Sequence, residues 1–188
     1  CILDSDFVIL LDADTVFDTS IISKYLNYFR IFPNTSMITP YCLDWRSIKL
    51  FNLYNHYYDT LALITLNNIS YKETGNTCIF PSCQFCCRLR NFYNNTDIDP
   101  LKNMLLSDKL LYLKVKSAFG CMPMIKTNVY NKIEWGDSIC EHHSFCENIQ
   151  KYGDIYVDMN THVINSHLNI YTNMYSYDEM EKYLKSKH

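Results

Sequence analysis

Two aspartates one residue apart, Asp12 and Asp14, follow directly on the apolar run Phe7–Leu11 in "FVILLDADTVF". A carboxylate is costly to bury unless it is paired, hydrogen-bonded or bound to a metal. Two of them so spaced can point the same way, and such a pair can hold Mg²⁺ or Mn²⁺ while leaving positions open for a diphosphate. Ligands of open α/β sheets collect just beyond the carboxyl ends of the strands, where this run would end. The competing reading is an Asp-rich turn that caps the next helix, because Asp14 and Asp18 both precede one.

A second group is sulfur-rich. "CIFPSCQFCCRL" holds Cys78, Cys83, Cys86 and Cys87, and Cys83 with Cys86 has the C-x-x-C spacing of a structural zinc site. A second C-x-x-C pair is missing, and "CEHHSFC" could complete a site only through long-range folding. The alternative is a set of reduced, partly buried thiols. Nine cysteines cannot all pair within one chain, which weighs against a full disulfide framework.

These residues need elements to position them. Phe7–Leu11 reads as a fully buried strand. "DTSIISKYLNYFRIF" places Ile21, Ile22, Tyr25, Leu26 and Phe29 at helical spacing behind cap-type residues at Asp18 to Ser20, which predicts a helix over about 19–30. Pro33 and Asn34 end it, and "TSMITPYC" reads as a second buried strand finishing at Pro40. Strand, helix, strand is the order of α/β folds with parallel strands.

Leu43 to about Asn76 is aromatic and irregular, and Cys78 to Pro100 suits a long active-site loop. A helix is expected from about Pro100, a strand up to roughly Lys126, then a short helical turn. "CEHHSFCENIQKYG" reads as a helix stopped at Gly153, "DIYVDMNTHVINSHLNIY" as one or two short strands, and "YDEMEKYLKSKH" as an amphipathic helix. With no repeat and no linker, residues 1–188 read as one domain.

The net charge of −3 and pI near 6.0 supply no basic surface for a phosphate backbone, so nucleic acid is not an expected partner. No stretch approaches the roughly 18 consecutive apolar residues of a membrane span, and the start lacks a signal-peptide layout. Cys1 leads into a core strand within a few residues, which reads as a piece of a longer protein. A cytoplasmic setting fits this segment, with a Golgi or endoplasmic-reticulum lumen the alternative if a missing N-terminal part carries an anchor. The sequons at Asn34, Asn68 and Asn94 follow from the abundance of asparagine.

Several segments in order resemble GT-A-class nucleotide-sugar glycosyltransferases. "VILLDADTVF" resembles their metal-binding strand. "YYDTLAL", Tyr57 to Leu63, resembles the Tyr-Asp-Thr segment of fungal-type capsule-associated mannosyltransferases and the Tyr-Asp segment of mannan-polymerase mannosyltransferases. "AFGCMPMIKTNVYNKIEW" resembles the Gly-containing strand and short helix beside donor and acceptor. "CEHHSFCENIQKYGDIYVD" resembles the acidic residue that opens a helix before the last strand. Together they span Phe7 to about Ile170.

The resemblance implies an α/β, Rossmann-like mixed sheet flanked by helices, lacking the first nucleotide-binding strands. It implies a hexosyltransferase, in these families a mannosyltransferase, that uses Mn²⁺ or Mg²⁺ and takes a sugar from a UDP- or GDP-sugar to a glycan or glycoprotein hydroxyl. It makes Asp14 the stronger metal ligand, with Asp12 sharing the ion or touching the ribose, and His167 a further ligand with His162 behind it. Glu141 becomes the carboxylate that takes the acceptor proton, or an acid complementing the helix dipole. Asp12, Tyr58, Asp59, Gly120 and His142 become donor or acceptor contacts. Asp59 could equally cap a helix from Thr60, and His142 and His143 could be half-exposed helix residues. Trp45, Tyr57, Tyr58 and Trp135 suit stacking on sugar rings or belong to the core, and Lys126 meets phosphate or solvent.

Two other classes compete. In a haloacid-dehalogenase-type phosphohydrolase Asp12 would attack phosphorus, Asp14 would act as acid and base, Thr39 would end the next strand, and Asp154 and Asp158 would complete the site. That family's Gly-Asp follows a hydrophobic strand, whereas Gly153 follows the polar "ENIQKY", and its Gly-Thr is replaced by Thr15-Val16. The third class is a non-catalytic, transferase-like binding module.

Overall fold

The computed structural model describes residues 4–45, 58, 62–66, 112–136, 141–166 and 176–186. Over these the chain forms β1 (Phe7–Ile9), β2 (Thr15–Val16), α1 (Ser20–Ile31), β3 (Thr35–Asp44), β4 (Ile64–Thr65), β5 (Tyr112–Ser117) and β6 (Met124–Lys126). Next come α2 (Thr127–Tyr130), α3 (Glu141–Gln150), β7 (Asp154–Asn165) and α4 (Tyr177–Lys185). The strands make one mixed sheet in the order β1-β6-β3-β7-β5-β4, with β2 added to β7.

β3 and β7 pair in parallel, from Thr35 beside Asp154 to Asp44 beside Asn165. β6 is antiparallel to both β1 and β3, so β1 and β3 run the same way with β6 between them. The expected strand–helix–strand crossover is therefore present, but its two strands are not hydrogen-bonded neighbours. Among the described residues β1 pairs only with β6.

Strands covered on both faces read as continuous apolar runs, and all ten residues of β3 are buried. One face of β3, through Met37, Tyr41 and Leu43, packs with Ile155, Val157 and Ile164 of β7 against Phe145, Cys146 and Ile149 of α3 and Met180 and Leu184 of α4. The other face, through Ile38 and Cys42, joins Met124 and Val163 against Ile21, Tyr25, Tyr28 and Phe29 of α1. The helix residues recur at i, i+4, i+7 and i+8, the stripe that a 3.6-residue period turns toward a sheet. The result is an open mixed α/β sheet flanked by helices. Emptying its centre by Phe145→Ala costs about 3–5 kcal/mol, as for aromatic truncations in cores.

Four expectations are corrected. β1 is short and half-buried rather than a fully buried strand to Leu11, and Leu11 is 49% exposed, because β1 lies at the sheet margin. The second strand passes through Pro40 to Asp44; the ladder shifts register between Pro40 and Tyr41, so the missing proline N–H falls where regular pairing is already broken. The single strand expected up to Lys126 is two, β5 and β6, separated by a turn over 118–123. The short strands expected after Gly153 are one twelve-residue strand, β7, the partner of both β3 and β5.

The helices at 19–30, before Gly153 and in the tail form within a residue or two of expectation. Gly153 is required by close approach: a Cβ there would sit 2.3 Å from the Asn34 carbonyl oxygen, beside the bond from Asp154 N–H to that oxygen at 2.9 Å. The Cys78–Cys87 cluster with its zinc reading, the helix from Pro100 as far as residue 111, Tyr57, Asp59, His167 and the sequons at Asn68 and Asn94 lie outside the described residues, and the expected end of that helix, from Tyr112 to Lys114, is instead the start of β5. Among the described residues no helix is long and apolar enough to cross a membrane.

Candidate acidic site at the end of the first strand

The backbone past β1 explains how the two aspartates come together. Leu10 N–H donates to Pro123 O at 3.1 Å and Asp12 N–H to Cys121 O at 3.0 Å, which carries the chain alongside the segment before β6. Thr15 N–H then donates to Asp12 O at 3.1 Å and closes a four-residue turn over Asp12–Thr15. This turn carries both aspartates past the end of β1. Beyond it, β2 pairs antiparallel with the end of β7, Thr15 opposite Asn165.

The two aspartates are held by different partners. Asn165 Nδ2 donates to Asp14 Oδ1 at 3.0 Å, and Ser166 N–H donates to Asp14 O at 2.9 Å. The Cys121 thiol lies beside the Asp12 carboxylate and favours its charged form. Asn165 Nδ2 also lies 3.8 Å from Cys121 Sγ, so one amide links the two halves of the site. Burial raises the Asp12 carboxyl above its ordinary value; the Cys121 hydrogen bond opposes the rise, the negative charge of Asp14 adds to it, and His142 lowers it.

The turn that presents Cys121 is strained. Gly120 and Cys121 both have positive φ, 62° and 61°, and Met122 N–H donates back to Gly120 O at 2.8 Å, a three-residue turn with Cys121 at its centre. Glycine takes such a φ freely, but a cysteine there costs about 1–3 kcal/mol, and strain of this kind concentrates at functional sites. The conformation aims the Cys121 carbonyl at the Asp12 N–H and its thiol at the Asp12 carboxylate.

An aromatic wall stands next to it. His142, the second residue of α3, stacks on Phe119 with ring centroids 4.1 Å apart and planes 13° from parallel. Trp135 lies edge-on to His142 at 6.2 Å and stacks on Phe145 at 4.1 Å. With 44% of its surface exposed, Trp135 is an aromatic face open to solvent, whereas Trp45, at 2%, packs on Tyr183 in the core. Glu141 is exposed at the start of α3, immediately before His142.

Of the other expected residues, Tyr58 is tied to the neighbourhood through its N–H to Cys42 O at 2.8 Å and packs half-buried on the α1 side. His162 does not join the aspartates. It stands beside Tyr41, whose ring lies 5.8 Å away, on the α3 and α4 side, while Asn165, three residues on in an alternating strand, faces the α1 side. Lys126 donates to the Pro33 carbonyl and lies over the Phe29 ring at 5.9 Å, so it is engaged away from the aspartates.

The phosphohydrolase set is not assembled. Asp154 starts β7 beside Thr35, at the amino end of strands that run with β1, whereas Asp12 lies past the carboxyl end of β1. Thr39 is buried within β3 and donates to the Phe119 carbonyl.

The arrangement suits a hard divalent ion. Two carboxylates share the site, and among the described residues no lysine or arginine pairs with either. Thr15 Oγ1 and Ser166 Oγ, on either side of Asp14, are buried without a hydrogen-bond partner among the described residues, and such groups ordinarily meet water or an ion. The described residues contain no group of three or more His, Cys, Asp or Glu close enough to hold a metal. The aspartates would therefore furnish part of a coordination shell, as Mg²⁺ and Mn²⁺ sites that take substrate phosphates do.

Asn165 and Cys121 are the residues that sequence reasoning missed. The available signal was the polar "NS" that ends the apolar "HVIN" run, the same apolar-to-polar change that marks Asp12. No protein-family profile, curated protein or solved structure matches the chain.

Proposed function

We propose that this chain is the metal-dependent catalytic portion of a glycosyltransferase that moves a hexose from a UDP- or GDP-sugar to a hydroxyl of a glycan or glycoprotein. One observation carries the reading. Two mutually repelling carboxylates are turned into one site past the carboxyl end of a strand in an open mixed α/β sheet, where such sheets gather ligands.

Asp14, oriented by Asn165, is the ligand expected to hold Mn²⁺ or Mg²⁺, with Asp12 sharing the ion or meeting the ribose. When bound, the metal would supply Lewis-acid neutralisation of the departing diphosphate. Glu141 is exposed beside the His142 wall, free of the core, and would take the proton from the acceptor hydroxyl. Trp135 offers the exposed face on which the apolar side of a sugar ring would rest. The Gly120–Cys121 turn holds the acidic side in place, and Asp59 and His167 keep the donor and metal roles that the resemblance gives them.

The test is calorimetric titration of the chain with UDP- and GDP-sugars in Mn²⁺ and in EDTA, followed by transfer assays. The reading predicts binding that requires metal and disappears in Asp14→Ala. Glu141→Gln should leave donor binding intact and slow transfer by about 100-fold or more, the range of general-base removal. Full transfer activity in Glu141→Gln would remove Glu141 from that role.

A further inference from the structure

The acidic site contains a chemistry that the transfer reaction does not use. Cys42, on β3, and Cys121, in the turn before β6, sit on neighbouring segments, since β3 and β6 pair antiparallel with Ile38 opposite Met124. Their sulfurs are 3.0 Å apart, both side chains are wholly buried, and neither is in a disulfide. A disulfide bond is about 2.05 Å long, so closing one needs a displacement of roughly 1 Å. Cys121 is also the residue whose carbonyl accepts from the Asp12 N–H at 3.0 Å and whose sulfur meets Asn165 Nδ2.

We propose that Cys42 and Cys121 form a reversible disulfide that withdraws the Cys121 thiol from Asp12 and so switches the acidic site between two states. The oxidant is a small peroxide, able to enter where Asp12 is half open to water. One sulfur, as thiolate, attacks a peroxide oxygen; the O–O bond breaks, the departing hydroxide takes up a proton as water, and the sulfur becomes a sulfenic acid. The second sulfur displaces that hydroxyl as water and the S–S bond forms. The two thiols lose two electrons, peroxide gains them, and two waters leave. A dithiol reductant reverses the change by exchange.

Oxidation removes the Cys121 S–H from beside the Asp12 carboxylate and pulls on a turn already at positive φ, whose Cys121 carbonyl holds the Asp12 N–H. Cys146, buried on the opposite face where its thiol donates to Ala118 O at 3.4 Å, serves as an internal comparison. The effect on metal binding rests on the reading of Asp12 and Asp14 as metal ligands, whereas the formation of the bond does not.

The experiment treats the full chain with one equivalent of hydrogen peroxide, blocks remaining thiols, and maps tryptic peptides by mass spectrometry. Cleavage after Arg30, Arg46, Lys116 and Lys126 releases Cys42 and Cys121 as the lone cysteines of separate peptides. The proposal predicts those two peptides joined, released by dithiothreitol, with Cys146 still a blocked thiol. Mn²⁺ affinity should fall about tenfold on oxidation, the lower end of what loss of a supporting hydrogen bond costs a metal site, and return on reduction. Cys42→Ser should keep its Mn²⁺ affinity through the same treatment.

Peptides of Cys42 and Cys121 that stay unlinked, while cysteines elsewhere oxidise, would overturn the proposal. A joined pair with unchanged Mn²⁺ affinity would overturn the switch. A joined pair in a chain that binds no Mn²⁺ even when reduced would uphold the bond and overturn the metal-site reading instead.

Discussion

Strand β7 carries two acidic environments on the side of the sheet covered by α1, and they solve the same electrostatic problem in opposite ways. Asp158, in the body of the strand, is fully buried. Lys24 of α1 stands 2.8 Å from its Oδ2, and the Asn160 N–H donates to its Oδ1 at 3.0 Å. The Lys24 ammonium also donates to Thr161. Tyr25, Tyr28 and Tyr112 surround this pair, and burial together with the negative charge of Asp158 holds their phenols protonated, that of Tyr112 pushed up to about 12.

At the end of the same strand, Asn165 holds Asp14 beside Asp12, where the negative charge of Asp14 adds to the rise of the Asp12 carboxyl and among the described residues neither aspartate pairs with a lysine or arginine. In the first environment the carboxylate charge is answered by Lys24, which ties α1 to the sheet. The second is half open to water, and among the described residues no lysine or arginine answers its charge, the condition in which a divalent ion binds with most to gain. A buried carboxylate in itself says little about function; whether its charge is already answered separates a structural group from a candidate ligand site.

Substitutions should separate the two. The largest effect is expected in Asp14→Ala, which should weaken Mn²⁺ binding by more than about 100-fold, at a cost of about 1 kcal/mol in stability for the buried Asn165 amide that loses its acceptor. An unchanged affinity would make the second environment as structural as the first. Lys24→Met should do the reverse. It leaves Asp158 buried without its cation and should cost about 2 kcal/mol of stability, discounted from a fully buried pair because Lys24 is partly exposed, with Mn²⁺ affinity retained.

Asn165→Ala should fall between, with roughly tenfold weaker Mn²⁺ binding from loss of the bond that orients Asp14. The smallest effect is a gain. Asp12→Asn should stabilise the metal-free chain by less than about 1 kcal/mol, because the carboxylate is held above its ordinary pKa in a site still open to water. The sign follows from linkage: a raised carboxyl favours the fold below its unfolded pKa, and that contribution is lost as pH rises through the folded value. The advantage of Asp12→Asn should therefore be present at neutral pH and vanish below about pH 3.8, as followed by denaturation at several pH values.

Much of this architecture could be read from local pattern. α1 and α3 carry their apolar stripes and stop signals in sequence, and the Asp12–Asp14 pair stands out because apolar residues precede it. The structure departed from expectation where long-range pairing decided the outcome. β7 is one long strand because β3 and β5 flank it, and nothing in "DIYVDMNTHVIN" announces two partners. The break between β5 and β6 depends on Cys121 accepting a left-handed backbone, a conformation its side chain does not advertise. Asn165 reaches Asp14 across 151 residues, and Cys42 meets Cys121 across 79, so neither contact has a spacing to detect. The two aspartates were legible, and the groups that orient them were not.

The most direct test of the central claim is Mn²⁺ titration of the reduced chain, followed by the loss of the free-ion electron paramagnetic resonance signal. The account predicts one saturable site that is lost in Asp14→Ala and kept in Lys24→Met. Absence of that site, or its survival in Asp14→Ala, would contradict it.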